Sequence, residues 1–381
     1  MARTTYTGGE ADILIIGAGV AGCTAAIALA GSHRVVLVDK LAEPAERIGE
    51  CLPPAGRRIL RRLNLLEEFE KDAAGEVRAL KSMGMRSYWG TGSAQITDHL
   101  RNPDGHGWHL DRRAFERSLR ETALQRGVQG CWPAKLQSTR YENGRWHVTA
   151  ADDQAPSGNA VYHFETKFVI DASGRSSHFA RKKGLARNHF DKLVACWAVL
   201  PDREQNKMGT ISACEKGWWY TAALPGRKRV LALQTDADLL DRAAVKSADG
   251  FTGLARTDPH VAAILERSGG EIDYRGTVAA NSTCLARVAG RQWAALGDAA
   301  MSFDPLSSQG MFNAMAGAMQ LADLVRETGC IDNPAAENTE RFYTTYTGQM
   351  AQIWQHYLYH KHVFYGRERR WKEAEFWKRR Q

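Results

Sequence analysis

A chain of 381 residues with 44% hydrophobic and 25% charged residues is long and apolar enough for one large core or two connected ones, which excludes a disordered or fibrous protein. Its net charge of +8 is spread along the chain except at the C-terminal stretch YGRERRWKEAEFWKRRQ, and with no nucleic-acid motif it points to an acidic protein partner rather than to a polynucleotide. The seven cysteines show no C-x-x-C spacing, which argues against a disulfide framework and against a zinc site.

The N-terminal segment carries a short apolar run, DILII, that ends in glycines; neither a secretory signal nor a membrane span fits it, and a cytoplasmic protein with no membrane contact is expected. That run, the turn GAGVAG, the helical pattern CTAAIALAG and the buried-strand pattern RVVLVDK form a βαβ unit. A helix is predicted from Pro54 to Glu70. A Gly-rich, aromatic stretch without regular periodicity follows from Met83 to Trp108, and then an amphipathic helix, DRRAFERSLRETALQRG, ending on Gly127. KLQSTRY, RWHVTAA and VYHFETKFVIDASG alternate as antiparallel strands, the last returning to the buried, parallel type. From Asn188 to Arg275 the pattern is alternating and aromatic, as in an antiparallel sheet, and QWAALGDAA reads as a closing strand of the first unit. The tail from Asn333 is helical, with Trp354, Tyr357, Leu358, Lys361 and Tyr365 on one face. The expected architecture is α/β. A discontinuous Rossmann-type nucleotide domain takes residues 1–80, 109–187 and 276–330, a mainly antiparallel substrate domain takes 81–108 and 188–275, and 331–381 form a C-terminal helical segment.

Gly17-x-Gly19-x-x-Gly22 follows a strand and opens a helix, and Asp39 ends the next strand 22 residues after Gly17, the context that a dinucleotide fingerprint requires. Gly17 permits the turn, Gly19 lets backbone approach a pyrophosphate at the helix N-terminus, and Gly22 lets helix and sheet close; Val20, Ala21 and Lys40 flank the same ligand, and Asp39 accepts from a ribose hydroxyl. Nothing in this motif separates NAD from FAD. Near the C-terminal end of the nucleotide unit, ALGDAAMSFDPLSSQGMFNAM passes from a strand into a helix. Asp298 there reaches the ligand edge of the sheet, where it can hold a polyol, and the helix N-terminus faces an acceptor that gains negative charge.

Taken together, GAGVAG, GECLPP (Gly49 to Pro54), HLDRRAFERSL, DASGRSS and GDAAMSFDPLSSQG resemble the class A flavoprotein monooxygenases and their halogenase relatives, which have the glutathione-reductase-like FAD fold. The resemblance implies FAD, with Glu50, Arg112, Asp171, Gly174, Gly297, Asp298, Pro305, Gly310 and Met311 among the cofactor-contacting residues. MRSYWG, NPDGHGWHLDR and GWWYTAALPG are more narrowly similar to flavoprotein maturases of the LodB and GoxB type, which serve tryptophan-quinone amino-acid oxidases and amine dehydrogenases. That implies hydroxylation of a tryptophan in a partner precursor protein by molecular oxygen through a flavin C4a-hydroperoxide. Trp218, Trp219, Tyr220 and His109 are the residues expected to line the substrate cavity.

Alternatives remain open on the sequence: hydroxylation or halogenation of a free small aromatic, or an assembly factor whose flavin is structural. Against halogenation, the W-x-W-x-I-P signature is incomplete at Trp218-Trp219-Tyr220, Ser307 stands where that family carries its catalytic glutamate, and the surroundings of Lys81 do not match. His106, like His109, is weighed as a proton-transfer group against a packed turn histidine, and Cys51 as a flavin thioether against a core thiol. His356, His360 and His362 offer an i, i+4 pair but no third metal ligand. With no second G-x-G-x-x-G, electrons are expected from NAD(P)H docking directly at the flavin or from a separate reductase.

Overall fold

The computed structural model describes residues 8–75, 78–152, 160–268 and 271–381. Its organising element is the strand Gly8–Ile16, whose apolar residues Ile13, Leu14 and Ile15 are fully buried. Such a continuous apolar run suits a parallel strand covered on both faces. It pairs in parallel with Val35–Val38 on one side and with Ala160–Asp171 on the other, with Ile16 opposite Asp171. Helix Val20–Leu29 makes the crossover and packs on helix Gly310–Thr328 from the far end of the chain. Trp293–Ala295 extends the sheet in parallel beside Ala160–Asp171, so the nucleotide-type sheet is completed by a segment almost three hundred residues away from its start.

Ala160–Asp171 serves two partners. Its first half pairs antiparallel with Arg145–Asp152 while the part from His163 onward runs parallel to the first strand, which is why its sequence alternates early and turns wholly apolar at Phe168–Ile170. A second sheet of seven strands among the described residues draws on Gly84–Tyr88, Gln95–Asp98, Leu193–Pro201, Met208–Cys214, Gly217–Leu224, Lys228–Asp236 and Asp273–Ala279. Its two faces feed separate cores. Trp197, Trp218 and Tyr220 lie on one face, and Trp219 packs with Phe251 and Leu233 on the other.

Three expectations are corrected. The helix predicted from Pro54 to Glu70 is two helices, Gly56–Arg62 and Leu66–Ala74, because Asn64 sits at φ +54, a left-handed turn residue that ends the first. The stretch from Met83 to Trp108 holds two strands of the second sheet and the start of a third, Gly107–Leu110, that pairs with Cys51–Leu52 and Ala79–Ser82. The basic C-terminal residues are not all free to grip a partner. Arg380 forks onto the buried Asp236 at 2.5 and 3.0 Å, Arg379 reaches Asp236 and Asp238, and Arg370 pairs with Glu368. These ion pairs fold the last residues back against the second sheet, where Trp377 is fully buried beside Trp89 and Tyr365. Among the described residues no helix is long and apolar enough to cross a membrane.

Candidate functional site

The two sheets face one another across a cavity of about 780 Å³, within the range of cofactor and substrate sites. Its nucleotide end is built by the first βαβ turn. Gly17 has φ +109, and a Cβ there would lie 2.3 Å from the carbonyl oxygen of Ala172, so only glycine closes the turn against the neighbouring strand. Gly19 is the opposite case: nothing comes nearer than 3.9 Å to a Cβ built on it, leaving an open cradle into which backbone, and no side chain, is presented. Gly22 packs behind the turn and does not line the cavity, whereas Val20 and Ala21 do.

Asp39 is fixed from several directions. Its carboxylate accepts from the backbone N–H of Ala18 at 2.7 Å and of Leu41 at 2.8 Å, and Arg120 lies 3.3 Å away. Arg120, buried under the turn and donating to the Ala18 carbonyl at 3.0 Å, was not foreseen; as an arginine in the middle of an amphipathic helix it looks like an ordinary surface residue. Lys40, next along, lines the cavity.

The loop Arg47–Glu50 forms one wall. Helix Arg112–Gln125 starts at Asp111, whose carboxylate caps the N–H of Ala114, and this start aims Arg112 across the cleft. Arg112 donates to Glu116 at 2.9 Å and to the carbonyls of Ile48 and Gly49 at 3.2 and 3.1 Å. Gly49 has φ +111, and a Cβ there would meet the Arg112 guanidinium at 2.6 Å, so the loop depends on both residues. Glu50 follows, 4% exposed, with one carboxylate oxygen lacking any partner. Burial pushes its carboxyl up to about 7, against the opposing pull of its own and Gly49's backbone N–H groups and of Arg112.

From the far side, Gly297, with φ +58, turns Asp298 toward the cavity, where Arg175 stands 3.9 Å from its carboxylate. The helix expected near Ser308 begins at Gly310, after a single 3₁₀ turn at Pro305–Ser307. No side chain caps it, so the first-turn N–H groups around Gly310 and Met311 face the cavity with free donors. Gly174 lines the cavity too, but the carboxylate of Asp171 does not. Both its oxygens are taken, by the N–H and hydroxyl of Ser173 and by the N–H of Ala180, so it holds the turn that presents Gly174.

The second sheet supplies the remaining wall. Trp218 and Tyr220 point into the cavity while Trp219, one residue out of phase, faces the opposite core, the direct result of the two-residue strand period. Trp197, not singled out from the sequence, completes the wall: it and Tyr220 flank Ala232 in the sheet, so no side chain larger than a methyl separates the two rings. Trp218 is held by Tyr365, whose hydroxyl receives its indole N–H at 3.1 Å and donates to Asp304 at 2.9 Å. His109 lies outside the cavity; fully buried, it is driven down to about 4 by burial and by the nearby Arg229, against the opposing pull of the Ala223 backbone. His106 packs edge-on to Trp108, and Lys81 is exposed on a strand away from the cavity. His356 and His360 meet edge-on, and the described residues hold no cluster that could bind a metal. Cys51 lines the cavity as a free thiol that burial pushes up to about 12, a poor nucleophile.

Comparison with known proteins agrees with this construction. Residues 10–328 match the family described as FAD binding domain. The chain is 27% identical over 374 residues to LodB of Marinomonas mediterranea, by name an FAD-dependent oxidoreductase, covering 97% of this chain and 96% of that one. It is 26% identical over 347 residues to the tryptophan 2-halogenase of Chondromyces crocatus, covering 88% of this chain and 65% of the halogenase. Among solved structures the fold is shared with the flavin-dependent halogenase CmlS (TM-score 0.79, 22% identity, 98% of this chain and 68% of that one). It is also shared with QhpG, described as a peptidyl tryptophan dihydroxylase essential for tryptophylquinone cofactor biogenesis (TM-score 0.74, 20% identity, 98% and 79%). The open cradle at Gly19, the fixed Asp39 and the uncapped helix at Gly310 are what the pyrophosphate, ribose and electron-accepting ring of FAD require, and the chain belongs to the FAD binding domain family as an FAD-dependent oxidoreductase of the flavin monooxygenase and halogenase class.

Proposed function

We propose that this protein hydroxylates a tryptophan side chain of a partner precursor protein during formation of a protein-derived quinone cofactor. The observation that carries the reading is the aromatic wall of Trp197, Trp218 and Tyr220 at the end of the cofactor cavity, a surface suited to a flat, electron-rich ring. Similarity to LodB along nearly the full length of both chains supports it, as does the fold shared with QhpG.

Bound FAD, once reduced, supplies the chemistry that activates molecular oxygen. The chain does the rest. The Gly17–Gly22 turn and Asp39 anchor the adenosine end, Asp298 serves the ribityl chain, and Arg112 fixes the loop beside the ring. The free N–H groups at Gly310 and Met311 stabilise negative charge on an acceptor placed at that helix end. Trp197, Trp218 and Tyr220 orient the substrate and exclude water. Electrons come from NAD(P)H or from a separate reductase. The test is co-expression with a candidate precursor and intact-mass measurement: a gain of one or two oxygen atoms mapped to a tryptophan is expected, and an unchanged mass with FAD bound and reductant supplied overturns the reading. A second reading, hydroxylation or halogenation of a free aromatic, draws on the similarity to the tryptophan 2-halogenase and predicts turnover without any partner protein.

A further inference from the structure

Three buried polar atoms at the substrate end of the cavity have no partner: a carboxylate oxygen of Glu50, the hydroxyl of Tyr220 and the indole N–H of Trp197. A buried unmade hydrogen bond costs about 1–3 kcal/mol, so three on one cavity wall mark a place where a polar ligand edge belongs. Glu50 and Tyr220 are close to each other, and Trp197 shares Tyr220's face of the sheet across Ala232. Strand Cys51–Leu52 pairs with Gly107–Leu110, which packs on the strand bearing Tyr220, and the Tyr220 hydroxyl lies within electrostatic range of the Glu50 carboxyl. Glu50 is the acceptor of the three when ionised; the other carboxyl tied to the aromatic wall, Asp304, is already engaged by the Tyr365 hydroxyl and the Leu306 N–H.

Resting on the tryptophan reading above, we propose that Glu50 is the substrate's hydrogen-bond acceptor: its free oxygen takes the ring N–H of an indole lying against Trp197, Trp218 and Tyr220. An electrophilic oxygen adding to the indole carbon leaves positive charge on the ring nitrogen, and a carboxylate on that N–H stabilises it. Overall, one ring C–H, O₂, two electrons from the reductant and two protons give ring C–OH and water. The O–O bond breaks, a C–O bond forms, and the displaced ring hydrogen leaves as a proton. The titratable and charged groups that face Glu50 are Arg112 from its helix, Cys51 beside it and Tyr220 from the second sheet.

The test uses the FAD-loaded protein and two probes, N-acetyltryptophanamide and its 1-methyl analogue, followed by the perturbation of the flavin absorption bands. The wild type is expected to bind the N–H probe about tenfold more tightly than the methylated one at pH 8, where the carboxylate is ionised, and less selectively at pH 6. Glu50→Leu loses the discrimination, and Glu50→Gln keeps a few-fold preference that no longer changes with pH. No preference in the wild type, or an undiminished one in Glu50→Leu, overturns the assignment. So does a shift of the flavin bands in Glu50→Leu without any probe, because the carboxyl would then serve the cofactor. The precursor mass assay is separate: if it fails while the probes discriminate, the tryptophan-in-protein reading falls and Glu50 stands as the acceptor for a free indole.

Discussion

The two ends of the one cavity are built on opposite principles. At the nucleotide end the carboxylates that hold the turns are engaged: Asp39 accepts two backbone N–H groups, Arg120 braces it, and Asp171 is saturated by Ser173 and Ala180. At the substrate end Glu50, Tyr220 and Trp197 are buried with unmet hydrogen-bonding atoms, and the wall is otherwise rings packed on rings. The first end is rigid before its ligand arrives; the second keeps polar capacity in reserve for a ligand edge.

The sharpest way to break this contrast is at the rigid end. Gly17→Ala puts a methyl against the Ala172 carbonyl at a φ of +109, so it is expected to cost at least about 2 kcal/mol and to yield colourless protein that takes up no FAD. A yellow Gly17→Ala protein of unchanged melting temperature would mean that the turn is not what holds the cofactor. Asp39→Ala comes next. It strands the buried Arg120 and frees two backbone donors, and an FAD affinity lower by about ten- to a hundredfold is expected in equilibrium titration, with about 2–3 kcal/mol lost in denaturant unfolding.

How much of this was legible in the sequence divides along the same line. The nucleotide end was readable because its constraints are steric and fall at fixed spacing: Gly17, Gly19, Gly22 and Asp39 occupy one turn and the end of the next strand. The two-residue strand period could have separated Trp219 from Trp218 and Tyr220, but three consecutive aromatics hide the phase. Trp197 sits in LVACWAVL, a run buried on both faces, where periodicity carries no signal. Arg120 and the C-terminal pairing of Arg379 and Arg380 with Asp236 depend on contacts over a hundred residues apart, which local pattern does not encode.

The reserve of unmet polarity at the other end has a pH signature. Folded protein keeps Glu50 protonated up to about pH 7, whereas an unfolded chain ionises it near 4.5. Between those values the folded state binds the extra proton, so this group's contribution falls as pH rises through that window and is lost above about 7. Glu50→Gln, which cannot ionise, is therefore expected to gain on the wild type by on the order of 2–3 kcal/mol between pH 4.5 and pH 8, read from denaturant midpoints at fixed FAD. A difference that is flat with pH would mean that the carboxylate has a partner and that the two ends of the cavity are alike.

The smallest expected effect is also the most direct probe of the contrast. Tyr220→Phe removes a hydroxyl that is buried without a partner and leaves the ring in place between Trp218 and the Ala232 position. Deleting a polar group already lacking its hydrogen bond forfeits nothing in the free protein and relieves its desolvation cost, so stability should be unchanged or higher by up to about 1 kcal/mol. The ligand, by contrast, loses a contact, and affinity for N-acetyltryptophanamide should drop a few-fold. The two signs must be opposite. If the variant is instead destabilised by about 1 kcal/mol or more, the hydroxyl is satisfied in the resting protein, and the wall would have to be regarded as a closed core like the other face of the same sheet.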